Sequence, residues 1–379
     1  MNIQLDRIPQ AAPREGYLAC QDRINAAIKS VMMSGFYILG SEVRAFEEEF
    51  ASYLGSGTAV GVGNGTDAIE LALRACGVKE GDHVVTVSLT AVATVSAIRK
   101  CGGIPVLVDI NPETYTMDPD SLSVCLASLD RNGKRPKAIV PVHLYGCPAE
   151  MASITEMAAR FEIPIVEDCA QAHGAEYRGR KVGAIGLLGA FSFYPTKNLG
   201  AFGDGGAVVT HHSGMAEEVR LLRQYGWRER YVSDKEGANS RLDEIQAAIL
   251  RVKLRDLNND NDARRHIAGI YSTHLQECGI PIPVEPPHCK HVYHQYVIRV
   301  PRQDKFRTLL SESGIDTAIH YPLAVHQQAP YREFGRIVSL VNTERAIHEI
   351  VSLPMYPQLG SDRAVRVCEA VTQALKCIR

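Results

Sequence analysis

From residue 84 onward, short apolar runs alternate with stretches that have helical periodicity. The runs are HVVTVSL, IPVLVDI, KAIVPVHLYG, IPIVEDC, LGAFSFYP and GGAVVT. Runs of this kind, separated by helical segments, predict βαβ units and a mostly parallel sheet that is buried on both faces. The clearest helices are predicted at Glu42–Tyr53, Asp67–Cys76, Leu122–Leu129 and Met151–Phe161.

The pattern changes near Asp243, where the long charged stretch DEIQAAILRVKLRDLNNDNDARRH carries apolar residues at helical spacing. This stretch predicts a connecting helix between two domains. A Pro-rich loop (GIPIPVEPPH), a strand (YHQYVIRV) and two helices (QDKFRTLLSESG and DRAVRVCEAVTQALKC) follow it, and they suit a smaller α+β domain. We therefore predict a large domain of residues 1–254 and a small C-terminal domain of residues 255–379.

Composition narrows the classes of function. The 379 residues are 45% hydrophobic and 22% charged, which suits a globular protein with room for two domains. The formal net charge of −2 and the lack of long like-charge runs argue against binding to nucleic acid or to a membrane surface. No apolar stretch approaches the roughly 18 residues of a membrane span, and the N-terminus lacks the apolar core of a secretory signal. With ten scattered cysteines and no CxxC pair, we expect a cytoplasmic protein whose cysteines are mostly reduced.

Three segments carry candidate chemistry. The predicted strand IPIVED ends at Asp168, and ligands of open α/β sheets bind just outside the carboxyl ends of strands. Lys197 stands between an apolar run and the glycine-rich LGAFGDGG, where the backbone must fold tightly. The segment GVGNGTD opens a predicted helix, and its glycines and free N–H groups suit a phosphate.

These three parts together are the ones that a pyridoxal phosphate enzyme needs. A lysine amine forms a Schiff base with the cofactor, and a carboxylate keeps the pyridine nitrogen protonated so that the ring can accept electrons. A helix start that binds phosphate holds the remaining end of the cofactor. The sequence therefore predicts pyridoxal 5'-phosphate as the cofactor.

Five motifs, in order and spacing, resemble the nucleotide-sugar aminotransferases of the DegT/DnrJ/EryC1/StrS family. They are VGNGTDAIELAL, VEDCAQAHGA, FSFYPTKNLGAFGDGGAVVT, ANSRLDEIQAAILRVKL and HYPLAVH. The resemblance implies an α/β fold-type-I pyridoxal phosphate transferase, with a mostly parallel central sheet in the large domain and a small C-terminal α+β domain. It also implies ping-pong amino transfer, in which glutamate donates the amino group and a nucleotide-linked keto-sugar accepts it.

The resemblance implies catalytic and ring-binding roles for three residues. Lys197 would bind the cofactor covalently and shuttle a proton between the cofactor carbon and the substrate carbon. Asp168 would pair with the pyridine nitrogen. Gln171, one helical turn past Asp168, would lie near the ring and its phenolic oxygen.

The phosphate site implied by the resemblance uses both subunits of a homodimer. Gly65 and Thr66 would donate to the phosphate from the helix start, and Ser192 would add a hydroxyl. Asn239 matches the position from which the partner subunit completes this site, although an ordinary helix cap would also explain an asparagine there. The resemblance thus implies a homodimer with shared active sites.

The sugar-binding side is defined less sharply. Many members of the family cover the cofactor ring with an aromatic residue or histidine at the position where this chain has Ala91, so we predict no stacking residue. His320 and Tyr321 match a segment that lines the sugar pocket of relatives, although packing at a domain seam would also account for them. Arg228 and Arg230 are candidate pyrophosphate partners.

The segments LRQYGWRERY, ANSRLDE and SLTAVATVSAI most resemble members that aminate carbon 3 of a dTDP-3-keto-6-deoxyhexose. We therefore expect this reaction, in the biosynthesis of an amino sugar for a surface glycan such as lipopolysaccharide or for a glycosylated metabolite. Amination of carbon 4, amination of a cyclitol and a regulator that binds the cofactor without turnover remain as alternatives. The related keto-sugar dehydratases replace the lysine with histidine, so Lys197 argues against them.

Two other ligand classes are weaker alternatives. Gly63-x-Gly65-x-x-Ala68 superficially matches a dinucleotide fingerprint, but we predict no convincing strand before it, and a dehydrogenase leaves Lys197 unexplained. His288, Cys289, His291 and His294 have an irregular spacing that fits no standard zinc pattern, and we expect them on a surface. We therefore predict no metal site.

Overall fold

A computed structural model of the chain describes residues 7–334 and 337–378. The described helices are α1 (Pro13–Leu18), α2 (Gln21–Ser34), α3 (Ser41–Leu54), α4 (Gly65–Ala75), α5 (Val92–Lys100), α6 (Pro119–Arg131), α7 (Met151–Arg160), α8 (Ser213–Leu222), α9 (Glu244–Leu254), α10 (Leu257–Gln276), α11 (Gln303–Glu312), α12 (Val341–Ala346) and α13 (Gly360–Ile378). The described strands are β1 (Thr58–Val62), β2 (His83–Val87), β3 (Ile104–Val108), β4 (Ala138–Ile139), β5 (Val166–Asp168), β6 (Glu176–Tyr177), β7 (Arg180–Lys181), β8 (Leu188–Ser192), β9 (Gly206–Thr210), β10 (Trp227–Glu229), β11 (Val232–Ser233), β12 (Cys289–Lys290), β13 (Tyr296–Arg299) and β14 (Ile350–Leu353).

The large sheet has the strand order β1-β9-β8-β5-β4-β2-β3. The two halves, β1-β9-β8-β5 and β4-β2-β3, are joined by the parallel bridges Ile139↔Ile165 and Val142↔Asp168. Among the described strands of this sheet, β9 alone runs antiparallel to its neighbours. The predicted mostly parallel sheet is therefore confirmed.

Both faces of the sheet are covered by helices. Neighbouring strand residues alternate between two cores: Val84 packs in the core under α4, α5 and α8, and Val85 packs in the core under α3, α6, α7 and α9. Because each strand is apolar on both faces, it appears in the sequence as a continuous apolar run. The four helices predicted from periodicity correspond to α3, α4, α6 and α7 and are confirmed within a few residues.

Local signals explain where these helices begin and end. Asn64 caps α4 by accepting a hydrogen bond from the Asp67 backbone N–H at 2.9 Å, which starts the helix ahead of its predicted apolar stripe. Gly35 ends α2 and Gly55 ends α3 in the left-handed conformation, with φ of 72° and 67°.

The prediction missed β1, which leads directly into the glycine-rich loop at Gly63. Its sequence, TAVGV, contains Gly61, and glycine weakens a strand signal. The glycine is there for packing, since a Cβ at Gly61 would lie 3.0 Å from the Cβ of Leu242. The statement that no convincing strand precedes this loop is therefore wrong.

The predicted single connecting helix is two helices, because the chain turns at residues 255–256 between α9 and α10. The break lets α9 pack against α2 and α3, while α10 packs against α13. Asp256 forms an ion pair with Arg23 of α2 at this turn. The C-terminal part has its own core, and Ile8 near the N-terminus packs into it. The division at residues 254 and 255 stays a prediction.

Candidate active site

Asp168 lies at the carboxyl end of β5, next to the centre of the sheet. Its carboxylate is buried, and each of its oxygens accepts one hydrogen bond: Oδ2 from the Thr94 hydroxyl at 2.8 Å, and Oδ1 from the Ala170 N–H at 3.1 Å. Burial raises the pKa of this carboxyl group above its usual value, and the hydrogen bond from Thr94 opposes that shift. The carboxylate is thus held in place in a position where its charge is poorly solvated.

Lys197 follows β8 in a tight turn that points back toward β5. The turn is closed by a hydrogen bond of 2.8 Å from the Lys197 N–H to the Tyr194 carbonyl, and a Cβ at Gly200 would lie 2.5 Å from the Pro195 carbonyl oxygen. Burial lowers the pKa of the lysine amine to about 8, and Asp168 counteracts this by attracting the charge. Within residues 7–334 and 337–378, the Nζ atom of Lys197 has no hydrogen bond or ion pair.

The start of α4 forms a cradle for an anion. The N–H groups of Gly65 and Thr66 occupy the first helical positions and find no hydrogen-bond acceptor in the described part of the chain. Ser192, at the end of β8, faces Gly65 so closely that a Cβ on the glycine would lie 2.5 Å from the serine Cβ. The hydroxyl of Ser240 accepts from the N–H of Gly63 at 2.9 Å, in the loop that leads into the cradle.

Gln171 connects two further parts of the site. Its Oε1 accepts from the Tyr145 N–H at 2.7 Å, and its Nε2 donates to the Tyr321 hydroxyl at 3.0 Å. The Tyr145 hydroxyl in turn donates to the His320 carbonyl oxygen. The structure therefore brings Gln171, His320 and Tyr321 together. Gln171 lies three residues past Asp168 in a run of turns.

Tyr145 is a site residue that the sequence analysis missed. It has a positive φ of 60° and is buried, with its backbone and its hydroxyl both engaged in the contacts to Gln171 and His320. Its position after a short strand, in HLYG, is the one signal that pointed to it, because strand ends face the site.

The His320 side chain is oriented from the C-terminal part of the chain. Its Nδ1 lies 2.8 Å from the hydroxyl of Ser352, a buried residue of β14. Burial and, to a smaller extent, the charge of Lys197 together lower the pKa of the imidazole to about 4. His320 is therefore a neutral hydrogen-bonding group at physiological pH.

The comparison with known proteins decides the family. The sequence profile of the DegT/DnrJ/EryC1/StrS aminotransferase family matches residues 19–372, which is nearly the whole chain. The protein belongs to this family. The resemblance drawn from the five motifs is thus confirmed.

Individual relatives are similar over their full length. The chain is 43% identical to dTDP-3-amino-3,4,6-trideoxy-alpha-D-glucose transaminase of Streptomyces venezuelae, covering 97% of this chain and 96% of the relative. It is also 43% identical to dTDP-3-amino-3,6-dideoxy-alpha-D-galactopyranose transaminase of Aneurinibacillus thermoaerophilus, covering 97% and 99%. The crystal structure of S. venezuelae DesV in complex with a ketimine intermediate matches with a TM-score of 0.93 at 43% identity, covering 97% of this chain and 98% of that one.

As a member of this family, the protein is a pyridoxal phosphate-dependent sugar aminotransferase with the fold-type-I architecture. Its own residues fit the cofactor. A buried carboxylate faces the same space as a lysine amine of lowered pKa, and the start of α4 offers free N–H groups beside Gly65, where a side chain would collide with Ser192. These are the donor and acceptor types that an aldehyde, a pyridine nitrogen and a phosphate require.

Two further residues singled out in the sequence, Asn239 and Ala91, lie near the anion cradle and the start of α5. Asn239 is exposed and does not cap a helix, since Asp243 holds the cap position of α9. It pairs with Gln224 next to Ser240, the residue that contacts the anion cradle. Ala91 precedes α5 and is half-buried, and its methyl group offers no ring to stack on the cofactor.

The two candidate arginines lie on the exposed β10–β11 hairpin. Arg228 forms an ion pair of 2.5 Å with Asp234, and the guanidinium of Arg230 lies 4.9 Å from the ring centre of Tyr231. Neither contacts the anion cradle or Asp168, so the structure does not bring them to the site within one chain.

The histidine group that was expected on a surface is divided. His291 and His294 are buried, whereas His288 is exposed, so the expectation is wrong for the first two. His291 stacks on the ring of Tyr293 at 4.0 Å, and burial lowers the pKa of its imidazole to about 3. These side chains lie inside because the chain from His291 onward runs between two hydrophobic cores, with Val292 in the core of the large sheet and Tyr293 in the C-terminal core.

One described cluster has atoms close enough to hold a metal: His143, Glu167 and Cys169, with candidate ligand atoms within 4.8 Å of one another. His143 and Glu167 already use these atoms, since the imidazole Nε2 lies 3.0 Å from the carboxylate and Nδ1 accepts from the Ala149 N–H at 2.9 Å. Glu167 also accepts backbone hydrogen bonds from residues 183, 185 and 186. The cluster is a satisfied polar core beneath β5.

Proposed function

We propose that this aminotransferase transfers the amino group of glutamate to carbon 3 of a dTDP-linked 3-keto-6-deoxyhexose. The observation that carries the proposal is the convergence of the Lys197 amine and the Asp168 carboxylate beside the anion cradle of α4. The two relatives at 43% identity over nearly the whole chain bear names that specify a dTDP-3-amino sugar, and they support carbon 3.

Each proposed catalytic residue has a chemical task that its environment permits. Pyridoxal phosphate, when bound, supplies an aldehyde carbon that takes up the amino group and a ring that accepts electrons. Lys197 holds a proton with a pKa of about 8, so its Nζ atom can release and recover a proton near neutral pH. Asp168 supplies a fixed negative charge toward the pyridine nitrogen.

The binding residues act by orientation. The Gly65 and Thr66 N–H groups and the Ser192 hydroxyl would hold the phosphate at the positive end of the α4 dipole. Gln171 would donate one amide hydrogen to the ring oxygen while Tyr145 fixes its other end. His320, neutral and held by Ser352, would bind hydroxyl groups of the sugar, as would Tyr321.

The first test is the visible spectrum of the purified holoprotein mixed with a dTDP-3-amino-6-deoxyhexose or with its 4-amino isomer. Running the half-reaction backwards avoids unstable keto-sugars, and removal of the aldehyde form is seen as loss of its absorbance. We expect the 3-amino sugar and glutamate to bleach the protein, and the 4-amino sugar to leave it unchanged.

Each other outcome of that experiment reassigns the protein. Bleaching by the 4-amino sugar alone would contradict amination at carbon 3. Bleaching by glutamate alone would leave an aminotransferase with another acceptor, such as a cyclitol. If neither sugar nor glutamate changes the spectrum, both the proposed donor and the proposed acceptor are contradicted.

We also propose a homodimer whose subunits share each active site. Asn239 is exposed on its own chain, so its side chain is open to the phosphate site of a partner subunit. An exposed apolar patch near the end of α2 supports a second copy as the occupant of this side. It consists of Met32, Met33, Phe36, Tyr37 and Ile38.

A mixing experiment tests the shared site. Lys197→Ala and Asn239→Ala should each be poorly active alone, because one lacks the amine and the other weakens phosphate binding. After unfolding and refolding together, random pairing makes half the dimers mixed, and each mixed dimer regains one intact site of two. We expect about one quarter of the wild-type activity to return. Activity that stays at the sum of the separate variants would contradict a shared site.

In the described residues, no helix is long and apolar enough to cross a membrane. We propose a cytoplasmic location, which is supported by ten cysteines that are all free in the structure. We also propose the boundary between large and small domains at residues 254 and 255, where α9 ends at Leu254 and α10 begins at Leu257 after two intervening residues.

A further inference from the structure

Two buried hydroxyl groups lead from the start of α5 to Asp168. The Thr90 Oγ1 lies 2.9 Å from the Thr94 Oγ1, and the Thr94 Oγ1 lies 2.8 Å from the Asp168 Oδ2. All three side chains are at least 96% buried, since the exposed fractions are 2%, 0% and 4%. We call this arrangement the threonine relay.

The direction of hydrogen bonding in the threonine relay follows from the charge at its end. An ionised carboxylate only accepts hydrogen bonds, so the Thr94 hydroxyl must donate to Asp168. With its hydrogen used in this way, the Thr94 oxygen is free to accept from Thr90. Each donor therefore strengthens the next, and both point their dipoles toward the carboxylate.

The backbone holds Thr94 in place. It is the third residue of α5, and its N–H donates to the Ala91 carbonyl at 3.2 Å. A β-branched side chain in a helix has few χ1 choices, so the hydroxyl has little freedom to turn away. The next residue, Val95, is fully buried and anchors the same turn.

The carboxylate depends on this donor. Asp168 is buried, and the protein supplies one hydrogen bond to each oxygen, with Thr94 serving Oδ2 and the Ala170 N–H serving Oδ1. Without Thr94, Oδ2 keeps no protein donor among the described residues, and the ionised form becomes less favourable. The orientation of the carboxylate plane would then rest on Ala170 alone.

We propose that Thr94, backed by Thr90, is a positioning residue that keeps Asp168 ionised and aims it at the ring nitrogen of the cofactor. This inference rests on the proposed role of Asp168. The proposal gives the segment around Ala91 a role other than stacking on the cofactor ring. This segment supplies the Thr94 hydroxyl, which orients the carboxylate of Asp168.

Other charged or titratable groups face Asp168 from neighbouring elements. They are Lys197 from the turn after β8, His143 from the segment after β4, and Tyr321, whose pKa is raised by burial and also by Asp168. His143 is held in one tautomer by Ala149 and Glu167, so it does not replace Thr94 as a donor to Asp168. A substitution at Thr94 leaves these groups in place.

The test compares Thr94→Val with Thr94→Ser and with Thr86→Val. Thr86, in β2, is a matched control because it is as fully buried as Thr94 and its hydroxyl likewise donates one hydrogen bond, in this case to the Val140 carbonyl at 2.9 Å. Three quantities are measured on the full-length protein: the affinity for pyridoxal phosphate, the pH midpoint of the visible absorbance of the bound cofactor, and kcat.

For Thr94→Val we expect a roughly tenfold weaker affinity for the cofactor and a kcat about tenfold lower, the size of one charge-assisted hydrogen bond. The pH midpoint should rise by about one unit. When Asp168 is less readily ionised, the ring nitrogen of the bound cofactor loses its proton more easily. An uncharged ring nitrogen no longer repels the proton on the nearby nitrogen of Lys197, so the pKa of the Lys197 nitrogen rises. Thr94→Ser should restore all three quantities to within about twofold, since it keeps the hydroxyl.

The Thr86→Val control distinguishes a role of Thr94 in positioning Asp168 from a role in packing alone. Thr86→Val removes a buried hydroxyl too and should lower the unfolding temperature, but leave the affinity and the pH midpoint unchanged. If Thr94→Val changes only the unfolding temperature, as Thr86→Val does, the proposal is overturned. The spectroscopic quantities need no sugar substrate, so the proposal about Thr94 can stand or fall whatever the 3-amino and 4-amino sugars do.

Discussion

Replacing Lys197 with alanine should abolish amino transfer, lowering kcat by at least about 1000-fold, while the protein stays folded. The amine is the one nucleophile at the site with a pKa near neutrality, at about 8, and no other described lysine lies beside Asp168. Its Nζ atom has no protein hydrogen bond in the described chain, so removing it breaks no hydrogen bond. Single-turnover bleaching with glutamate and a thermal melt measure the two effects.

Lys197→Arg is the matched control for charge. Arginine keeps a positive charge near Asp168, but its guanidinium cannot release a proton or bond to the cofactor's aldehyde carbon at neutral pH. Both variants should therefore be inactive and equally folded. An arginine variant with substantial activity would show that the charge of Lys197, and not its amine, is what the reaction needs.

The order of elements was predictable because the sheet is buried on both faces. Strands such as β2 and β9 are continuous apolar runs, and a run of that kind needs no knowledge of its neighbours to be recognised. The strand β1 was missed for the opposite reason. Its Gly61 is needed only because Leu242, 181 positions later, packs against it, and no local pattern contains that contact.

The site shows the same division. Asp168 and Lys197 stood out because a polar residue at the end of an apolar strand has few structural explanations. Tyr145 did not, because its importance comes from contacts with Gln171 and His320, which lie 26 and 175 positions away. Residues that act on each other through the tertiary fold carry no signal in their own segment.

The composition of a segment did not predict the burial of two histidines. His291 and His294 follow a Pro-rich loop with exposed residues, which favours a surface position. They are buried because the chain runs between the core of the large sheet and the C-terminal core, where His294 lies 3.2 Å from the Asn198 side chain beside Lys197. Burial and Lys197 both lower the pKa of His294, so it stays neutral next to the amine.

Replacing Asp168 with asparagine should reduce kcat by about 100-fold or more, because the change removes the charge that faces the ring nitrogen. The shape of the side chain is kept, and an amide can still accept from the Ala170 N–H, so the fold should survive. Stopped-flow bleaching with glutamate measures the loss. The absorbance of the bound cofactor should shift as well, since the ring nitrogen no longer has an anionic partner.

Asp168→Asn should lower kcat without lowering the stability of the cofactor-free protein. Burial raises the pKa of Asp168 in the folded state, so the native protein binds this proton more tightly than the unfolded chain does. Stability from this group is therefore present below the unfolded pKa and is lost as pH rises through the folded pKa. Asp168→Asn removes that loss, and at pH 7 the variant without cofactor should melt no lower than the wild type.

Asp109 provides the contrasting case that makes the prediction sharp. It too is a buried aspartate after a strand, but it follows the edge strand β3, and its carboxylate accepts from the Asn342 and Thr343 N–H groups at the start of α12. Asp109→Asn should lower the unfolding temperature and leave kcat within about threefold of wild type. If Asp168→Asn behaves like Asp109→Asn, losing stability and keeping turnover, then Asp168 is a structural carboxylate and the active-site assignment is wrong.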